Sequence, residues 1–319
     1  MSNGPILLTG SAGFVAPYVA ARLEATFPGR ALVKLVRLAP VPEGGYAVEL
    51  TNPSATDDLI RTVKPGIVVH LAAHSSVAKA NRSPSSVWRD NRDGSYWLAK
   101  SIARHAPEAT VFLASTAEVY GSNLKHGPAD ETTPPMPHGP YANSKLASEF
   151  VFEEILTDTN QLLIARPFNH TGPGQMETFV VASFAAQLAR IEAGLVPPTI
   201  SVGNLDAKRD FLDVRDVANA YIGILKAADR LPKRAIVNVA RGEAMSIREI
   251  LDLLCSLAKV EVSVEIDPSR LRPNEIPVAT ASTAFLSTLM DWPPHRPIIE
   301  TLKEVLDDQR KRLKVVVPG

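Results

Sequence analysis

The stretch Ile6-Leu7-Leu8-Thr9-Gly10-Ser11-Ala12-Gly13-Phe14-Val15-Ala16 constrains the fold more than any other part of this chain. A short apolar run ends at Thr9, a glycine pair spaced G-x-x-G follows, and an amphipathic segment begins at once. That order predicts a buried strand, a tight turn and a helix N-terminus. Gly10 lets the chain turn, Gly13 lets backbone approach a bound anion, and Ala16 keeps a third small position where helix packs on strand. The free N–H groups and dipole of the helix N-terminus favour phosphate, so the turn is a candidate cradle for a dinucleotide pyrophosphate. Such a glycine pair can occur at any strand-turn-helix junction. Its weight here comes from standing in the first such turn of a chain that continues as alternating strands and helices.

That alternation is plain downstream. Apolar runs at 31–38, 46–50, 66–73, 110–115 and 161–166 read as buried strands, and helical patterns at 54–64, 86–105 and 141–157 separate most of them. Val15, Val19, Leu23 and Phe27 form one helical stripe, with Pro17 tolerable only in that helix's first turn. Fully apolar strands between helices predict an α/β fold: a doubly wound parallel sheet covered on both faces, with ligands at the carboxyl ends of the strands. Past about 170 the pattern loosens into helices (178–193, 214–228, 246–258), short strands (199–202, 235–239, 262–266) and proline-rich connections. We therefore expect a dinucleotide-binding domain over 1–170 and a smaller α/β substrate lobe over most of 171–319, with 235–240 returning to the main sheet. The basic run from Arg310 to Lys314 reads as a solvated helix end.

Composition removes several classes. Lys+Arg and Asp+Glu are both 34, so the net charge is zero, against the basic footprint of a nucleic-acid or membrane-surface protein. No apolar run is long enough for a membrane span, and no signal peptide is evident. A single cysteine, Cys255 in an apolar stretch, suits a reducing cytoplasmic setting and a core role rather than a nucleophile. His70 and His74 are four apart but straddle a strand end without acidic or cysteine neighbours, so no metal site is expected. Trp88, Trp97 and Trp292 read as core or interface residues, and His170 beside Asn169 reads either as a group near the substrate or as a structural hydrogen-bonding residue.

Two segments carry chemistry. Tyr141-Ala-Asn-Ser-Lys145 puts a phenol and an ammonium on one face at a helix start, where Lys145 is placed to lower the Tyr141 pKa toward a useful range. The bland reading is an ordinary surface helix turn, since six tyrosines make one such spacing unremarkable. The strand at 110–115 runs into Thr116-Ala117-Glu118, which sets Thr116 and Glu118 at a strand's carboxyl end. Thr116 is then positioned to hydrogen-bond a substrate oxygen that Tyr141 also reaches; the alternative is a strand-end turn with an incidental carboxylate.

With these motifs in order, the chain resembles the extended short-chain dehydrogenases/reductases acting on nucleotide-diphosphate sugars. The resemblance rests on the glycine turn, His70-Leu-Ala-Ala73, Asn91, Ser115 to Gly121, Tyr141/Lys145, Arg166-Pro-Phe-Asn169, Arg209-Asp-Phe211 and Arg272-Pro-Asn-Glu275. Within the family, the stretches beginning at Arg166 and Val202 most resemble reductases of GDP-4-keto-6-deoxy-mannose. The resemblance implies Thr116, Tyr141 and Lys145 as catalytic residues, with Glu118 joining them if the enzyme is a dehydratase. It implies a cofactor site from Gly10, Ala12, Gly13, Phe14, Val15, Arg37, Glu49, Leu50, Leu71, Ala72, Ala73, Tyr141, Lys145, Pro167 and Phe168. It implies a substrate site from Ser75, Ser76, Asn169, Val202, Arg209, Arg272 and Glu275, and no metal. The implied reaction is NAD(P)H-dependent reduction of the C4 keto group of a GDP-4-keto-6-deoxy sugar, to GDP-D-rhamnose. A GDP-mannose 4,6-dehydratase or a nucleotide-sugar 4-epimerase with internally recycled cofactor are the alternatives, and the intact triad speaks against a non-catalytic dinucleotide sensor. Arg37 ends the second strand with no acidic residue beside it in that strand, so NADP(H) is favoured over NAD(H), unless Arg37 is merely solvated. The helices near 92–105 and 141–157 carry apolar residues on more than one face, and family members pair through them, which implies a homodimer.

Overall fold

The structure, a computed structural model, describes residues 2–74, 80, 82–271, 275–292 and 296–316. In chain order its main elements are β1 (Ile6–Thr9), α1 (Ala16–Thr26), β2 (Leu32–Val36), β3 (Tyr46–Ala47), α2 (Pro53–Val63), β4 (Ile67–His70), α3 (Pro84–Trp88), α4 (Gly94–His105) and β5 (Thr110–Ala114). They continue with α5 (Gly139–Ile155), β6 (Gln161–Pro167), β7 (Asn169–Thr171), α6 (Val180–Glu192), β8 (Thr199–Val202), β9 (Lys208–Asp213), α7 (Val214–Lys226) and β10 (Arg234–Val239). The last are β11 (Ala244–Ser246), α8 (Ile247–Leu257), β12 (Ser263–Ile266), β13 (Val278–Ala279), α9 (Ala284–Leu289) and α10 (Ile298–Val316).

Seven strands make one parallel sheet in the order β10-β6-β5-β4-β1-β2-β3, the expected doubly wound α/β fold. Strand alternation explains why these runs are apolar throughout. Ile6 and Leu8 of β1, Ile67 and Val69 of β4 and Leu163 and Ala165 of β6 face one core with α1 and α7. Leu7, Val68, Leu162 and Ile164 face the opposite core, against α2, α4 and α5. A strand buried on both faces leaves few positions for a polar residue, here mostly near strand ends as with Thr9 and His70, and each buried apolar side chain contributes roughly 1.5–3 kcal/mol. Pro17 does fall in the first turn of α1, where its missing N–H costs nothing. Strand order reverses between β1 and β4, so the carboxyl ends of these two strands flank the crevice where doubly wound sheets take ligands.

A second, smaller layer stands beside that crevice. β9 is its centre, paired with β7 and β13 in parallel and with β11 antiparallel. A third core closes beneath it from α6, α8 and α10, and Cys255 packs half-buried against that core with its thiol pushed up by burial, as a structural residue does.

Some elements differ from their sequence signatures. The run at 46–50 forms only a two-residue edge strand, because the chain leaves the sheet to bring Glu49 to Arg37 and Asn52 to the cap of α2. The pattern at 86–105 is two helices joined by a π-helical turn, Arg89–Asp93, which turns Asn91 inward. Arg310 is not solvated: it binds Glu192 of α6 at 2.6 Å and Asp307 at 2.7 Å, tying the end of α10 to the third core. His70 is buried with its pKa pushed down to about 3, so it is a neutral hydrogen-bonding group bridging Thr9 (2.7 Å) and Ser95 (3.5 Å). No cluster of three metal-ligating side chains and no helix long and apolar enough to cross a membrane occurs among the described residues.

Candidate active site

The glycine turn lies at the carboxyl end of β1. Gly10 adopts φ +68°, and a Cβ there would meet the Ala72 nitrogen at 2.7 Å, so only glycine lets the turn pass the end of β4. Ser11 is tied to Leu35 through backbone (3.0 Å) and hydroxyl (2.9 Å), and the Gly13 N–H closes on Gly10 O at 2.9 Å. The N–H groups of Ala12, Phe14 and Val15 have no protein acceptor among the described residues. Exposed donors at the mouth of an eleven-residue helix fit a pyrophosphate. Leu71, Ala72 and Ala73 follow β4 along the same edge, with the Ala72 N–H bonded to Thr9 Oγ1 at 3.2 Å.

At the far end of this edge Arg37 meets two carboxylates: Glu49 at 2.5 Å and Asp90 at 2.7 Å, the latter also bound to His74 at 2.7 Å. The second strand itself carries no acid, but the segment after β3 and the π-helical turn deliver two. Arg37 remains half-exposed, so one side of its guanidinium faces solvent. Leu50 is buried in the core beneath it.

Tyr141 and Lys145 enter from the first turns of α5, which starts after Gly139-Pro140. Burial, with the nearby Glu118 charge, pushes the Tyr141 phenol up to about 12 against the opposing effect of the Thr116 hydroxyl close to it. Lys145 is enclosed, donates to the Ala114 carbonyl at 2.7 Å, and is pulled down by burial to about 8. The expected lowering of the tyrosine by its lysine is therefore absent in the protein alone: desolvation dominates both groups, and the ammonium is directed at a backbone carbonyl. Tyr141 is a phenol throughout the ordinary pH range, which equips it to give a proton.

Pro167 ends β6 and Phe168 follows it, buried and donating its N–H to Val239 O at 2.9 Å. Asn169 opens β7 opposite Phe211 of β9. The His170 ring stacks parallel on Phe14, centroids 6.1 Å apart, and its Nδ1 lies 3.0 Å from Phe168 O, so it joins the glycine turn to β7. Arg209 and Glu275 form an ion pair at 3.2 Å, with Asn204 on the other Glu275 oxygen at 2.8 Å. Val202 is fully enclosed in the third core, so its side chain is not brought to the crevice. Ser75, Ser76 and Arg272 lie outside the described residues. Sequence reasoning missed Glu149, one turn beyond Lys145, which is buried against Arg166 at 2.6 Å; the continued spacing of four from Tyr141 was the available signal.

Comparison with known proteins decides the family. Residues 6–240 match the model of the NAD dependent epimerase/dehydratase family. The chain belongs to that family. It is 35% identical to GDP-6-deoxy-D-mannose reductase of Pseudomonas aeruginosa over 97% of its own length and 98% of the relative's. GDP-6-deoxy-D-talose 4-dehydrogenase of Aggregatibacter actinomycetemcomitans is 28% identical, over 85% of this chain and 86% of the relative. Among solved structures, RMD from Pseudomonas aeruginosa complexed with NADPH superposes with a TM-score of 0.84 at 34% identity, covering 97% of this chain and 99% of that one. The family expectation drawn from the motifs therefore holds.

Proposed function

We propose that this protein reduces the C4 keto group of GDP-4-keto-6-deoxy-D-mannose to give GDP-D-rhamnose. The observation that carries the reading is the Thr116–Tyr141–Lys145 arrangement at the carboxyl ends of β5 and β4, in a chain aligned end to end with a GDP-6-deoxy-D-mannose reductase. NADP(H) is the favoured cofactor and NAD(H) the second. The glycine turn would hold its pyrophosphate and Arg37 its adenosine-ribose end, with Glu49 and Asp90 limiting how strongly a 2′-phosphate is preferred. The bound cofactor supplies the hydride. Tyr141 gives a proton to the substrate oxygen, Thr116 orients that oxygen, and Lys145 stabilises the phenolate left behind. Asn169, Arg209 and Glu275 are the candidate contacts to the nucleotide diphosphate, where an arginine fork suits phosphate oxygens.

Glu118 favours a second reading, dehydration of GDP-mannose, because its charge reaches Tyr141. The two separate on substitution. Tyr141→Phe costs about 10²–10⁴-fold in either reaction. Glu118→Gln leaves a reductase within about tenfold, roughly 1.4 kcal/mol, since no C5 proton is removed, whereas a dehydratase collapses. A variant Glu118→Gln that is dead, together with GDP-mannose turned over without net cofactor use, would overturn the reductase reading.

The same reading includes a homodimer through α4 and α5. Tyr96 and Phe150 are exposed there, beside partly buried Trp97, Leu146, Val151 and Ile155. Light scattering at micromolar concentration should give twice the chain mass; the single-chain mass would contradict it.

A further inference from the structure

Tyr141, Lys145 and Glu149 recur at intervals of four along α5, so they form one stripe of that helix. Glu149 is enclosed and fully engaged. Arg166 gives it Nε at 3.1 Å and Nη2 at 2.6 Å, and the Ser115 hydroxyl donates to Oε1. Ser115 sits between the two groups that the tyrosine and lysine touch. On one side is Ala114, whose carbonyl takes the Lys145 ammonium at 2.7 Å; on the other is Thr116, whose hydroxyl lies close to the Tyr141 phenol and accepts from the Glu118 N–H at 3.3 Å. The Ser115 N–H is fixed to Ala165 O at 2.7 Å, so the strand end is tied on both its backbone and its side chain. Arg166 is held in turn over the Tyr120 ring at 4.9 Å, and Tyr120 donates to Asn238 at 2.7 Å.

We propose that Glu149 is a positioning residue for the reaction, fixing through Ser115 the strand end that presents both catalytic partners and setting its carboxylate one helical turn from Lys145. The inference rests on the reading of Tyr141 and Lys145 as the proton-transfer pair. A buried ion pair is a costly way to fill a core, since apolar residues of similar volume stabilise at least as well, so its presence one helical turn from Lys145 calls for a local purpose. The charges facing Lys145 say what that purpose is. His70 from β4 is neutral, Tyr141 is a phenol whose pKa the nearby Glu118 raises, and Arg166 from β6 is spent on Glu149. Glu149 is the anion that raises Lys145 against the pull of burial.

The test is Glu149→Gln beside the wild type and the double variant Glu149→Gln/Arg166→Gln, which removes the stranded guanidinium and keeps two amides able to pair. Each is followed by the pH dependence of kcat and by ¹³C NMR titration of Lys145 in cofactor-free protein. We expect the alkaline limb of kcat and the Lys145 titration to move together to lower pH by about one unit in both variants. Loss of thermal stability with both titrations unmoved means that Glu149 is only a core group, and overturns the proposal. A moved lysine titration in a protein whose wild type reduces nothing sustains the link from Glu149 to Lys145 and overturns the functional reading instead.

Discussion

At the scale of single residues, burial decides the chemistry of the site. Tyr141 stands near 12 and Lys145 near 8, so in the neutral range the pair is a phenol beside an ammonium. For the proposed reduction this is the useful state, since a phenol can give a proton and an ammonium can steady the anion left behind. The sign of the pH dependence follows. Lys145 has its charge below about 8 and loses it as pH rises through that value, so kcat for reduction should be flat below about 8 and fall toward tenfold per unit above it. A kcat that stays level to pH 10 would separate catalysis from the Lys145 charge. That Tyr141 and Lys145 share one helix face was legible in the sequence from their four-residue spacing. The direction of the tyrosine shift was not, because spacing reports which groups are near and says nothing of how much solvent they have lost.

At the scale of elements, a segment between β5 and α5 sets the approach to the site. The 3-10 stretch Ala117–His126 contains Gly121 at φ +50°, where a Cβ would lie 1.8 Å from Met136 O. Met136 is bonded in both directions, its N–H to Val119 O at 3.0 Å and its carbonyl to the Ser122 N–H at 3.1 Å, and five residues later the chain reaches Tyr141. Gly121→Ala must displace this backbone, so it should cost about 2–4 kcal/mol in urea unfolding and lower kcat by moving the start of α5. Wild-type stability and turnover would show that the contact yields freely. Strands buried on both faces and one-faced helices were readable from apolar patterning. The π-helical turn at Arg89–Asp93 was not, because its Asn91 is buried through long-range bonds to His74 N (2.8 Å) and Ser144 (2.9 Å) that no local period encodes. The same holds for Arg37, whose two carboxylates come from separate parts of the chain.

At the scale of the whole molecule, one parallel sheet supplies the strand ends, and β7 and β9 bring a second wall against them. The first half of that architecture was written in the alternation of apolar strands and helices. The second half was blurred because its strands are short and depend on pairing across long sequence separations, as β9 does with β7, β11 and β13. The contact between Phe14 and His170 joins the two walls, 156 residues apart in the chain. The proposed reaction holds a reduced dinucleotide and a 4-keto sugar together in this crevice and passes hydride between them. Its most direct measurement uses NADPH deuterated at the transferable position with GDP-4-keto-6-deoxy-D-mannose, following cofactor oxidation and the product by NMR. One cofactor oxidised per sugar with deuterium at C4 is the predicted result; product formed without net cofactor oxidation, or without deuterium from either face of the cofactor, would contradict it.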